Sequence, residues 1–458
     1  GSGGDDRPPA ALATRLVPAN ALVYVHLSTD TGRSGTRAAR ALAERFPGFK
    51  ALRATLVKRL SAPGCQVPAT ALKNSREIAL ALVDTGRGNA GSLVYVDTGD
   101  ESKLPERTCG AIQTGKFGRF LVIGQPQSIV IARQLAAGKG RTLAADPRYR
   151  RELRRLPAAR VADLWVTRDG VQRLLAPQGG ILGAAGTLLD QPGLIATAGA
   201  VTAADQGARV VLRSLKSGKG SDLPAFTPRL PDSVPGSAFA YLGLKGISGA
   251  AGRLLGLAGA QTAGLAPLLA RAGADLGPLL RLFAGEVAIT ITPDTPVPVL
   301  SIITRATDPN AAAATLAAAR PKVARLLAAS PGDVPEWKKI GDSYRLRPAA
   351  GVELDYKVVR DLVVVSTRQA GLAAVRDSKS PLSGTAGWRR SVGKTSNPVT
   401  SLVFLDFNQL LRLGEQTGLN DSRAYLAAKD DLQRLKSVGA RSSSDGDEST
   451  VELLLSFP

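Results

Sequence analysis

The sequence predicts an α+β protein of two tandem, similar domains, each a mixed or mainly antiparallel sheet with helices packed on one face. Three observations carry that expectation. At 458 residues the chain is long enough for about two or three domains. Its residues are 44% hydrophobic and 21% charged, the balance of a folded protein rather than a disordered one. Its strand-like and helix-like stretches also occur twice in the same order, an α+β pattern rather than a regular βαβ alternation.

The first copy opens with Arg15-Leu16-Val17-Pro18, followed by an apolar strand over 21–27. The second opens with Arg229-Leu230-Pro231-Asp232, followed by a strand over 237–244. Each leads into a Gly- and Ala-rich helical stretch. Alternating strands follow at 76–83 and 285–292, each with a partner after a short turn, at 92–96 and 299–304. The apolar run Phe120-Leu121-Val122-Ile123 parallels Leu362-Val363-Val364-Val365, and helices are expected behind them near 126–137 and 368–377. Tyr149-Arg150-Arg151 then matches Trp388-Arg389-Arg390, and the strand 161–166 matches 399–404. Two strands close each copy, 194–203 with 208–215 and 435–441 with 450–457.

The resulting division is a flexible tether at 1–11, a first unit at 12–216, a Gly/Ser/Lys linker at 217–224 and a second unit at 225–458. The second unit carries an insertion near 337–356, read as an extra hairpin. The first holds both cysteines and most of the net charge of +21.

These paired openings and closings resemble a family of bacterial exported proteins known as domain of unknown function 3352. The likeness runs from Leu12 over nearly the whole chain and rests on loose hydrophobic patterns. It implies an envelope-facing, often membrane-anchored protein and supplies no catalytic or binding residues.

Other features bear on address. Gly1 to Pro9 is small and polar, either the tether behind the lipidated cysteine of a lipoprotein or an expression remnant. The uncharged stretch between Arg253 and Arg271 contains Gln261, Thr262, Pro267 and several glycines, too polar for a membrane span, and reads as a soluble helix pair. Cys65 and Cys109, the only cysteines, are expected to form one disulfide if the protein is exported. One histidine and two cysteines rule out zinc-finger, iron–sulfur and multi-histidine metal sites within this chain; no metal or cofactor is expected.

Most catalytic motifs fail on context. Asp84-Thr85-Gly86 and Asp97-Thr98-Gly99 resemble the aspartic-protease loop, but they flank one hairpin, and that chemistry needs two facing carboxylates about 3 Å apart. A hydrolase built on them is the alternative function. Gly86-Arg87-Gly88-Asn89-Ala90-Gly91 has dinucleotide-loop spacing but precedes a strand where a helix is required. Gly393-Lys394-Thr395 ends like a phosphate loop, out of register and ahead of Pro398. His26 is read as a strand-face residue.

One element stands out. Asp146 is a suitable N-cap and Pro147 a suitable first residue for a helix carrying Arg148, Arg150, Arg151, Arg154 and Arg155. Those arginines are the anion-binding candidates. With aromatics at 4% and not interleaved among them, nucleic acid is not the expected partner. The expectation is a non-enzymatic, exported envelope protein, lipid-anchored, that binds or scaffolds an anionic polymer or a lipid-like component. Its contact surface would be the cleft between the units or the helices of 249–284.

Overall fold

The structure is a computed structural model, and it describes residues 7–51, 54–55, 74–86, 88–99, 107–175, 193–204, 207–218, 224–246, 276–328 and 333–458. The first half contains β1 (Val23–Ser28), α1 (Ser34–Ala43), β2 (Glu77–Gly86), β3 (Asn89–Asp97), β4 (Arg107–Cys109), β5 (Ile112–Phe117) and β6 (Phe120–Gly124). It continues with α2 (Pro126–Ala136), α3 (Pro147–Arg155), β7 (Ala162–Thr167), β8 (Leu194–Ala204) and β9 (Gly207–Lys216). The second half contains β10 (Ala240–Lys245), α4 (Gly277–Leu282), β11 (Glu286–Thr292), β12 (Val299–Arg305), α5 (Pro309–Leu326), β13 (Lys338–Ile340), β14 (Ser343–Ala349), β15 (Val352–Val359) and β16 (Leu362–Ser366). After these come α6 (Gln369–Arg376), α7 (Ala386–Ser391), β17 (Ser401–Asp406), α8 (Phe407–Gln416), α9 (Arg423–Leu432), β18 (Ser437–Asp445) and β19 (Glu448–Ser456).

All of these strands belong to one antiparallel sheet. Its middle is the pair β9–β19, running from Gly207 opposite Ser456 to Leu215 opposite Glu448. Outward from that pair, one wing reads β9-β8-β7-β1-β2-β3-β6-β5-β4. The other reads β19-β18-β17-β10-β11-β12-β16-β15-β14, with β13 added at its edge. The two orders match strand for strand. Between the second half's counterparts of β3 and β4 the chain carries α5 and β13, so the insertion expected at 337–356 is not a whole extra hairpin: β14 and β15 stand where β4 and β5 stand.

Side chains repeat as well. Glu77 accepts the backbone amides of Leu12 and Ala13 at 2.9 Å each. Glu286 accepts those of Arg229 and Leu230 at 2.9–3.0 Å. In one core Tyr149 meets Tyr24 and Trp165 edge-on, with ring centroids 6.2 and 5.6 Å apart. In the other Trp388 meets Tyr241 and Phe404 at 5.4 and 5.5 Å. Both trios are buried, and such contacts add about 0.5–1.5 kcal/mol beyond the area they remove from water.

Helices cover both faces of the sheet, not one as the sequence suggested. Val364 and Leu362 pack with Leu372 and Val375 of α6, whereas the intervening Val363 packs with Ala312 and Leu316 of α5. A strand buried on both faces reads as an unbroken apolar run and loses the alternation that would reveal a single covered side. β6, buried along its whole length, is the same case.

Several expectations fall wholly or partly outside the described residues, including the tether up to residue 6 and residues 219–223 of the linker. Of the helices expected at 249–284 only Leu276 onward is described, including α4, so no groove there is at issue. Cys65 also lies outside; Cys109 ends β4. Among the described residues no helix is long and apolar enough to cross a membrane.

Candidate functional site

The basic helix forms as its sequence implies. Asp146 caps α3 by accepting the amides of Arg148 and Tyr149 at 2.8 and 3.2 Å, and Pro147 occupies the first turn. Burial pushes the Asp146 carboxyl up, but the two amides and Arg148 outweigh it and hold it below its ordinary range. Tyr149 and Glu152 are buried, and Arg151 and Arg155 stand on the side of the helix where Glu152 lies.

That side meets the middle of the sheet. Alternation puts Arg209, Arg213, Glu448, Thr450 and Glu452 on one face of the β9–β19 pair. Glu448 of the second half takes Arg155 and, at 2.5 Å, Arg213, with Arg151 at 3.9 Å. Buried Glu152 of the first half takes Arg151 at 2.9 Å and Arg213 at 3.4 Å. Arg213 also donates to Thr450 at 3.3 Å. Farther along the same face Glu452 is held by Arg209 and by Arg441 of β18. Beside it opens a cavity of about 210 Å³ lined by Lys394, Thr395, Asn397, Arg441, Ser443 and Thr450 among others.

This floor is assembled from both halves. It gathers Arg151, Arg155, Arg209, Arg213, Lys394 and Arg441 against Glu152, Glu448 and Glu452, so positive charge is left over. The extra cation with no carboxylate partner among the described residues is Lys394, at the cavity mouth.

The five candidate arginines thus have different surroundings. Arg151 and Arg155 sit in the network, and Arg148 pairs with its own helix cap at 3.4 Å. Arg150 and Arg154 have no carboxylate partner among the described residues. Sequence reading missed Arg209, Arg213, Arg441, Glu448 and Glu452, which no local motif joins: Glu448 is 293 residues from Arg155.

The Asp-Thr-Gly carboxylates do not come together. Asp84 accepts Arg173 at 2.8 Å near the turn of the β2–β3 hairpin, where that bond, the Gly86 amide and the Arg173 charge hold it low. Asp97, at the far end, is gripped by Arg119 through two 2.8 Å bonds. Each also accepts the amide of its own turn glycine, as turn aspartates do. In this segment Gly86 pairs with Asn89 across the hairpin turn and Ala90 and Gly91 already belong to β3, so a strand follows where a dinucleotide loop needs a helix; Gly86 and Gly88 have positive φ.

His26 is fully buried, which its strand position alone did not reveal. Its Nδ1 lies 3.1 Å from Asp163, which also accepts Arg160 at 3.0 Å, while Nε2 faces Glu77 at 3.9 Å. The dyad has no access to solvent, so it cannot act on an external substrate.

Neither a protein-family model nor a curated protein matches the sequence. Among solved structures the chain is similar to crystal form I of TP0453, with 9% identity and a TM-score of 0.29, covering 48% of this chain and 89% of that one. Crystal form III of the same protein gives 9% identity and 0.26, covering 44% and 79%. Likeness this slight carries no argument about fold or function.

Proposed function

We propose that the chain is a non-enzymatic, exported protein of the bacterial cell envelope, made of two tandem copies of one α+β unit, that binds an anionic envelope component. The units span 12–216 and 225–458, joined through a linker at 217–224. The contact surface is the cleft over the β9–β19 join, between α3 and the loop that carries Lys394. Membrane attachment through a lipid on a preceding segment, at the outer face of the cytoplasmic membrane or elsewhere in the envelope, belongs to the same reading.

One observation supports it above the others. Six cationic side chains and three carboxylates converge on a floor supplied by both halves, beside a cavity lined with hydroxyl groups. The carboxylates fix the arginines in place, and the surplus charge is free to attract an anion.

The test is retention on an immobilised polyanion such as heparin, and binding to vesicles containing phosphatidylglycerol. Lys394→Glu and Arg154→Glu reverse charges that no ion pair among the described residues uses. Each surface cation contributes roughly 1 kcal/mol to attraction by an anionic surface, so the double variant should bind about tenfold or more weakly at low salt. Unchanged binding would remove the cleft from consideration.

A further inference from the structure

The buried charges around His26 occur in one half only. Registers place Gly243 and Leu402 of the second half where His26 and Asp163 stand in the first, and Val399 where Arg160 stands. A Cβ on Gly243 would lie 2.6 Å from the Tyr241 hydroxyl, so that site has no room for a side chain. Yet both halves keep the glutamate that holds the preceding turn, Glu77 for Leu12 and Ala13, Glu286 for Arg229 and Leu230. The first half alone adds an imidazole behind that glutamate.

The stretch Arg7–Leu16 is fastened to both ends of this cluster. At one end Glu77 holds its two amides. At the other Arg33 donates to the carbonyls of Arg160, Ala158 and Arg7 at 3.0, 3.2 and 2.9 Å, while Arg160 grips Asp163. Between them His26 bonds Asp163 through Nδ1, and its Nε2 has no hydrogen-bond partner among the described residues and stands 3.9 Å from Glu77 Oε1. The other groups facing the cluster are Tyr24 on β1 and Tyr149 on α3, both with unpartnered hydroxyls, and Asp97 on β3, which acts on Glu77.

We infer that His26 is a proton-responsive latch that tightens the docking of residues 7–16 onto the first half when its ring takes up a second proton. The chemistry is local. A neutral ring with its proton on Nδ1 turns a lone pair toward the Glu77 carboxylate. A second proton on Nε2 makes the ring an imidazolium that donates to Asp163 through Nδ1 and draws the 3.9 Å contact with Glu77 toward a second charge-assisted hydrogen bond. Glu77 then holds Leu12 and Ala13 from a position braced on its other side. His26 is the only histidine, and no other side chain has an ordinary pKa between 5 and 8. Burial pushes the Glu77 carboxyl up, and the charge on His26 opposes this.

The second half supplies an internal control. Hydrogen exchange of the full chain, corrected for the intrinsic rate, is followed at pH 8 and pH 6 for peptides covering 7–17 and 225–235. Protection of the first should rise about threefold to tenfold between the two pH values, the second staying level, as expected when one charge-assisted hydrogen bond is gained. In His26→Gln the difference between the peptides should vanish. An equal response of both peptides in the native chain, or a response that persists in His26→Gln, overturns the inference. Should that variant not fold, the comparison of the two peptides in the native chain decides alone.

Discussion

Val211 and Glu452 face each other across the β9–β19 pair, and each is the fifth residue of the last strand in its own half. A residue paired with its own counterpart marks a local two-fold axis, the self-complementary contact of a symmetric dimer, formed here within one chain. The arrangement also hides two edges. Separate units would each expose a closing strand of nine or ten residues with an unpaired ladder. The outer edges that remain are the three-residue strands β4 and β13, and β13 carries exposed Lys338 and Lys339.

The repeated aromatic trios should be equally indispensable. Trp388→Ala and Tyr149→Ala each empty a buried aromatic site and should cost about 3–5 kcal/mol. Unfolding in guanidinium chloride measures this. A loss below about 1 kcal/mol in either would mean that its trio does not organise that core.

Glu452 sets part of the acid limit. Burial alone would push its carboxyl up, but Arg441 and Arg209 outweigh burial and hold it below the ordinary range. A group lowered on folding adds stability above its unfolded value of about 4.3, and that contribution is lost as the pH falls through the lowered one. Glu452→Gln should therefore be less stable by about 1–3 kcal/mol at pH 7, with the gap closing in acid. A gap independent of pH would contradict the ion-pair assignment.

The two cysteines should be joined. Protein alkylated without reduction is expected to carry no label at Cys65 or Cys109, and both should label after reduction. Reduction should lower stability by about 2–4 kcal/mol. Full labelling of oxidised protein purified from an exported source would refute the bridge.

Strands were the most legible part of the sequence. Alternation at 77–83 and 286–292 and the turns after Asp84 and Asp97 mark them locally. The capped basic helix at Asp146 was legible for the same reason, since cap and first turn are neighbours in sequence. Both-face burial at Leu362–Val364 was not, because continuous apolarity does not say how many sides are covered. The cleft and the His26 cluster were not legible either. Arg155 meets Glu448, and His26 meets Asp163 across 137 residues; only the folded sheet brings them together.

The central claim is that the halves share one sheet through their counterpart last strands. Cysteine trapping tests it most directly at Ser214 and Ser449, which face each other in the β9–β19 register. Under mild oxidation Ser214→Cys/Ser449→Cys should yield a linked peptide pair within a single chain, whereas Ser214→Cys paired with a cysteine at Ser444 should not. Linkage through Ser444, or none through Ser449 in the folded protein, would contradict the join.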